Sequence, residues 1–311
     1  MSETNQTFKR VEKKYRITAA QRREFEFVAR NYVTPDNFGR SCITSVYLDT
    51  PDRSLISRSL EKPTYKEKLR IRAYGEQQGQ LLVDVFTKGH WQATYPAFPV
   101  FFELKKKYKG VVYKRRIELS LAAAYSFYCG MDYETCITRY PLLDEIKQQS
   151  AISYQNAQIA KELRAALNRY KNLLPSMAIR CERIAWGAGN VTENHSIEND
   201  IAVASAPDFT QDLRLTFDDH LCYCDLFASK TKDSSQLTYQ PIINSQESIL
   251  EIKSAGAYPL WLTKALSHLR MYPGSFSKYG KAVQLVQRKP HKPAITPMPK
   301  PPQTKLKQKA S

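Results

Sequence analysis

Short strand-like runs with basic and acidic residues at alternate positions recur along the chain. They read Glu12-Lys13-Lys14-Tyr15, Lys66-Glu67-Lys68-Leu69-Arg70-Ile71-Arg72 and Phe102-Glu103-Leu104-Lys105-Lys106-Lys107. Further on come Lys114-Arg115-Arg116-Ile117-Glu118, Leu213-Arg214-Leu215-Thr216-Phe217-Asp218 and Leu250-Glu251-Ile252-Lys253. Every second side chain of a strand points to the same face. Lys68, Arg70 and Arg72 therefore share one face, and Leu69 and Ile71 share the other. Such a charged face is either a broad solvated sheet surface, with Glu and Lys pairing across strands, or the lining of a polar cavity.

The charge balance bears on that choice. Lys and Arg number 47 against 30 Asp and Glu, a net charge of +17. This excess favours a polyanionic partner: nucleic acid, an acidic membrane or phosphate compounds. Part of it lies in the Pro/Lys-rich stretch 288–311, which holds one Arg, six Lys and no acid and reads as a disordered tail. Hydrophobic residues make up 42% of the 311 residues, enough for a sizeable core. No apolar run reaches the roughly 20 residues of a membrane span. Met1 to Arg10 is polar and does not read as a signal peptide. Six cysteines show no Cys-x-x-Cys pair and no His at zinc spacing, as expected of reduced thiols in a cytoplasmic protein.

Residues 8–17 read as a strand, followed by Thr18 as N-cap of a helix over 19–33. Strands are predicted at 44–48, 65–74, 81–87, 100–107, 111–119, 177–186, 212–217, 222–226 and 248–253. Two hairpins are expected, one joining 65–74 to 81–87 and one turning at Lys109-Gly110. Residues 120–172 read as a helical insert, with a further helix over 258–272. Residues 275–280 read as a loop before a helix over 281–287. The sum predicts an α+β fold, an eight-stranded antiparallel β-barrel with flanking helices over residues 1–287. A barrel of about eight strands can enclose a small ligand.

Burying many Lys and Arg together needs counter-charge, and a polyphosphate-like ligand supplies it. Arg offers forked donors to phosphate oxygens and Lys a compact point charge. Glu12, Glu103 and Glu251 would suit a hard divalent ion bridging phosphates.

The motifs occur in a particular order. Glu-Lys-Lys-Tyr at 12–15, Ser-Val-Tyr-Leu-Asp-Thr at 45–50, Lys-Leu-Arg-Ile-Arg-Ala-Tyr-Gly at 68–75 and Phe-Glu-Leu-Lys at 102–105 come first. Arg-Ile-Ala-Trp at 183–186, Arg-Leu-Thr-Phe-Asp at 214–218, Leu-Glu-Ile-Lys at 250–253 and Ser-Lys-Tyr at 277–279 follow. From about Phe8 to Val286 the chain resembles the VTC domain, the polyphosphate polymerase domain of the vacuolar transporter chaperone family, within the triphosphate tunnel metalloenzymes.

That resemblance implies a tunnel in which the γ-phosphoryl group of ATP passes to a growing polyphosphate chain, with manganese or magnesium bound. Carried over position by position, it implies catalytic roles for Arg70, Arg72, Lys105, Arg183 and Lys278. It implies substrate binding by Lys14, Lys114 and Ser277, and metal binding by Glu251. Arg116, Arg214 and Lys253, which share faces with these residues, join the substrate-binding candidates with Lys68 and Tyr279, and Glu103 joins Glu251 as a metal candidate. ATP and polyphosphate are the implied partners, together with a membrane-protein partner for export, and no specific nucleic acid. The chain departs from the family pattern at Cys181, where an aromatic is usual, at Lys107, where His or a polar residue is frequent, and in the basic residue ahead of Lys68, for which Arg58 and Lys62 compete. Tripolyphosphate hydrolysis and non-catalytic binding of polyphosphate or inositol pyrophosphate are the alternatives. Superfamily hydrolases usually open with Glu-x-Glu-x-Lys, and here Arg10 stands at the first Glu.

Overall fold

The computed structural model describes residues 11–89, 97–170, 172–187, 213–228 and 237–288. The chain begins with β1 (Val11–Thr18), α1 (Ala19–Ala29), β2 (Thr34–Pro35), β3 (Ser41–Asp49), α2 (Ser54–Leu60), β4 (Tyr65–Tyr74) and α3 (Glu76–Lys88). The hairpin β5 (Pro99–Tyr108) and β6 (Val111–Ser120) leads into α4 (Leu121–Tyr128), α5 (Tyr133–Arg139), α6 (Glu145–Ala151) and α7 (Tyr154–Arg169). Then come β7 (Leu174–Gly187), β8 (Arg214–Asp225), β9 (Gln240–Pro241), β10 (Glu247–Ser254), α8 (Leu260–His268) and α9 (Lys278–Arg288).

All strands join one antiparallel sheet in the order β1-β10-β8-β7-β3-β4-β5-β6, with β2 on β7 and β9 on β8. The α+β class is as expected, but the eight-stranded closed barrel is not. The sheet has ten strands, two of them only two residues long, and no ladder joins β1 to β6 among the described residues. It nevertheless curls far enough for side chains of the two edges to meet. Lys114 Nζ on β6 lies 3.8 Å from Glu12 on β1.

Helices cover the outer face in two groups. Leu69, Ile71, Phe102, Leu104 and Ile117 bury against α3 to α7, and Tyr15, Ile17, Phe217, Leu250 and Ile252 bury against α1 and α8. Fully burying each such side chain contributes about 1.5–3 kcal/mol. On the opposite face α2 and α9 cover part of the sheet, packing Ile56, Tyr279, Ala282 and Val283 onto Ile43, Tyr47, Ile179 and Ile249. The rest of that face carries the charges.

Thr18 caps α1 through a capping box with Gln21, and the helix ends four residues earlier than its sequence pattern suggested. The predicted strand 81–87 is instead part of α3. Gly79, Leu82, Val83 and Phe86 fall on one helical face and bury against the sheet, and β4 pairs with β5. The two predicted strands 212–217 and 222–226 are one strand, β8, which passes a bulge between Arg180 and Glu182 of β7 with His220 at φ 46°. The last helix begins at Lys278, inside the expected loop. The expected tail from residue 289 lies outside the described residues. Among those residues no helix is long and apolar enough to cross a membrane.

Candidate phosphate-binding face

Register brings the alternating charges of distant segments into rows. Across β4, β5 and β6, Lys68 faces Lys105, which faces Lys114; one step along, Arg70 faces Glu103, which faces Arg116. Across β1, β10 and β8, Lys14 faces Glu251, which faces Thr216; one step along, Glu12 faces Lys253, which faces Arg214. Arg183 on β7 faces Asp218 on β8. The strand period of two thus assembles the site from both halves of the chain.

Three carboxylates neutralise particular cations. Asp218 is fully buried and accepts from Arg183 Nε at 2.6 Å and Nη2 at 2.8 Å, and Lys278 Nζ lies 2.7 Å away. Burial alone would raise the Asp218 carboxyl, but Lys278 and Arg183 outweigh it and hold it far below the ordinary range. Glu103 accepts from Arg70 Nε at 2.6 Å and lies 3.4 Å from Arg116 Nε. Against the effect of burial, Arg70, Arg72 and Arg116 hold its carboxyl at about 2. Both Glu103 oxygens are therefore engaged by arginines, whereas Glu251 and Glu12 face lysines. Glu251 lies 2.7 Å from Lys253 and 3.8 Å from Lys14; burial is again outweighed, by Lys14, Lys253 and Arg183, and the carboxyl sits at about 2.

The carboxylate that stands beside Glu251 is Glu12. Each sits within ion-pair distance of Lys14, and the Glu251 charge opposes ionisation of Glu12. Lys105, Lys14 and Lys114 offset both that repulsion and burial, so Glu12 lies below its ordinary value.

Other cations lack such partners. Lys68 Nζ donates to Ser277 Oγ at 2.7 Å, a neutral acceptor. Burial lowers it to about 8, although the Tyr47 phenolate would act in the opposite direction, and Lys66, Lys105 and Lys14 add to the lowering. Lys105 forms no ion pair among the described residues; burial, then Lys14, Lys114 and Arg70, lower it to about 8 despite the Glu12 charge. Arg72 has neutral acceptors, Ser45 Oγ at 3.2 Å and the Tyr74 phenol. The cations without a direct ion pair among the described residues are thus concentrated on β4 and β5.

The N-terminal turn of α9 meets this face. Ser277 Oγ accepts from Gly280 N–H at 3.1 Å as well as from Lys68, which leaves its hydroxyl proton free to donate. Lys278 reaches Asp218 and also comes within 3.3 Å of Cys181 Sγ. Tyr279, expected to touch substrate, is 2% exposed; it donates to Asp49 at 2.8 Å, lies 3.0 Å from Ser176, and stacks on Tyr47 at 4.6 Å. Its contribution is therefore to hold Tyr47, whose hydroxyl meets Arg70 at 3.1 Å. Arg214 stands at the rim, exposed and 3.6 Å from Asp36. Arg116 is half exposed and lies 3.5 Å over the Phe101 ring.

Beyond their place in the quoted motifs, sequence reasoning assigns no role to Asp218, Ser45 or Tyr47. Asp218 was findable, since it sits two positions after Thr216 on the charged face. Ser45 and Tyr47 carry no charge and follow only from the pairing of β3 with β4.

The solved structures found include a putative adenylate cyclase from Vibrio parahaemolyticus at 10% identity, covering 88% of this chain and 97% of that one, with a TM-score of 0.37. The Mediator head module of Schizosaccharomyces pombe is matched at 9% identity over 84% of this chain and 90% of that one, with a TM-score of 0.35. Likenesses this loose carry no argument. No curated protein matches the sequence. The model of one family, described as the VTC domain, matches residues 9–287 and so spans the described sheet and its helices. The chain belongs to the VTC domain family.

Proposed function

We propose that this protein is an ATP–polyphosphate phosphotransferase that extends a polyphosphate chain held on the charged face. The observation that carries the reading is the set of half-buried cations Lys68, Arg72 and Lys105, which have no direct ion pair among the described residues, beside cations in contact with Glu103, Asp218 and Glu251. Unpaired buried cations are costly, and an extended polyanion supplies their counter-charge. Membership of the VTC domain family supports the same substrate class.

In this reading Lys68, Arg72 and Lys105 bind non-bridging phosphate oxygens, Arg70 is held by Glu103 and Tyr47 with its guanidinium oriented, and Ser277 donates its hydroxyl proton to a phosphate oxygen. The terminal oxygen of the acceptor chain attacks the γ-phosphorus of ATP in line. The bond from the γ-phosphorus to its bridging oxygen breaks, and ADP leaves. The acceptor oxygen is already ionised, so no protein base is needed; positioning and charge neutralisation do the work.

Glu12 and Glu251 are the hard-oxygen pair that fits a divalent cation, manganese or magnesium, with phosphate oxygens completing its shell. Among the described residues no cluster of three or more His, Cys, Asp or Glu could hold a metal by protein ligands alone. A two-carboxylate site shared with substrate fits that inventory. When bound, the cation would offset charge on the phosphates.

Incubation of the purified protein with ATP, manganese and a short polyphosphate primer tests the proposal. Ladders of lengthening polyphosphate with matching ADP release are expected. Free orthophosphate without chains would replace the reading with triphosphate hydrolysis, and tight polyphosphate binding without turnover would replace it with a binding module.

A further inference from the structure

The hairpin joining β5 to β6 carries a surface that the phosphate-binding face does not use. From Lys105 to Arg116 the chain reads Lys-Lys-Lys-Tyr-Lys-Gly-Val-Val-Tyr-Lys-Arg-Arg; Lys105, Lys114 and Arg116 belong to the charged face and Lys106 and Arg115 pair with Glu162, which leaves Lys107 and Lys109 to the tip. The tip projects: Tyr108 is 47% exposed, Val111 52%, Val112 43% and Tyr113 45%. Lys107, Lys109 and Lys114 are exposed among them, and neither Lys107 nor Lys109 forms an ion pair among the described residues. Lys109 lies 5.5 Å over the Tyr108 ring. Lys109 at φ 45° and Gly110 at φ 87° make the tight turn that brings Tyr108 opposite Val111.

Four large exposed side chains at a hairpin tip, three of them on the edge strand β6, are a liability in water. Charge narrows what could cover them. A tip whose Lys107 and Lys109 have no ion pair among the described residues, and which has no carboxylate of its own, repels a second copy of itself and repels basic proteins, whereas an anionic bilayer complements it. Tyrosines suit the headgroup level, valines the acyl boundary just below it, and lysines can keep their ammonium groups among lipid phosphates. The hairpin ladder already pairs the tip's cross-strand backbone groups, so shallow insertion leaves few of them unsatisfied.

We infer that the β5–β6 hairpin tip docks this protein onto an anionic phospholipid surface. Lys105 and Lys114 are adjacent on the same hairpin, so docking sets that end of the charged face against the bilayer. The inference does not depend on turnover.

The test is co-sedimentation of the full chain with vesicles of phosphatidylcholine alone and with added phosphatidylserine. The unaltered protein should sediment with the anionic vesicles and not with the neutral ones. Val111→Ser combined with Tyr113→Ser should weaken that binding roughly tenfold, and Lys109→Glu by about fivefold or more. Both variants keep residues 289–311 intact and leave Lys68, Arg72 and Lys105 untouched, so affinity for tripolyphosphate in solution should not change. Equal sedimentation of the unaltered protein and both variants would overturn the inference, since the charge elsewhere would then suffice. Binding to neither vesicle would overturn it, as would a drop in oligomeric state on Val111→Ser with Tyr113→Ser in the absence of lipid, which would assign the tip to a second copy.

Discussion

Asp218 takes three charge-assisted contacts, two from Arg183 and one from Lys278, and its removal would isolate two half-buried cations. Asp218→Asn should destabilise the fold by about 3–5 kcal/mol, the usual cost of breaking a buried pair from one side. Tripolyphosphate should restore part of the loss, raising the melting temperature of the variant more than that of the parent. An equal shift in both would mean that ligand never meets Arg183 and Lys278. Lys68 and Lys105 lead to a second prediction, because burial brings both to about 8. A bound phosphate chain favours their charged forms, so affinity should fall as pH rises above 8, by about tenfold per lysine at pH 9. Lys68→Met with Lys105→Met should flatten that dependence. In stability the sign is reversed. The folded protein binds these protons less tightly than the unfolded chain, so the two lysines oppose folding below about 8 and this penalty disappears between 8 and 10.5.

At the scale of elements, α3 and α9 separate what was readable from what was not. The charged strands declared themselves by period two, and Thr18 announced the start of α1. The run 81–87 is apolar almost throughout, and so short a run does not distinguish a strand from a buried helix. Tertiary packing decided it: Gly79 lets α3 approach β3 so closely that a Cβ there would lie 2.2 Å from Thr44 Oγ1. Gly79→Ala should therefore destabilise by about 1–3 kcal/mol through overpacking, measurable by chemical denaturation. No change would show that α3 slides freely over the strand. In α9, Ser277 is both helix cap and acceptor for Lys68, and only its Ser-Lys-Tyr resemblance marked it in the sequence. The pairing of each cation with a specific carboxylate was not readable at all, because partners such as Arg183 and Asp218 are far apart in the chain and meet only through register.

The whole molecule is an open, strongly curled sheet whose charged face is stabilised by a few depressed carboxylates and burdened by unpaired cations. Glu103 and Glu251 sit at about 2 against 4.5, so their contribution to stability is complete above pH 4.5 and is lost as pH falls toward 2. That loss is roughly 3 kcal/mol for each group. Acid unfolding should begin within that window, and Glu103→Gln should weaken its pH dependence. The central claim is that Lys68, Arg72 and Lys105 stay unpaired because a phosphate chain is their partner. Metal-free calorimetric titration with tripolyphosphate tests it most directly, comparing the unaltered protein with a variant in which all three are Met and with Lys264→Met, an exposed residue on α8. The account predicts that the triple variant folds at least as stably as the parent yet loses affinity by about a hundredfold or more, while Lys264→Met binds normally. A triple variant that binds tripolyphosphate as tightly as the parent would contradict it.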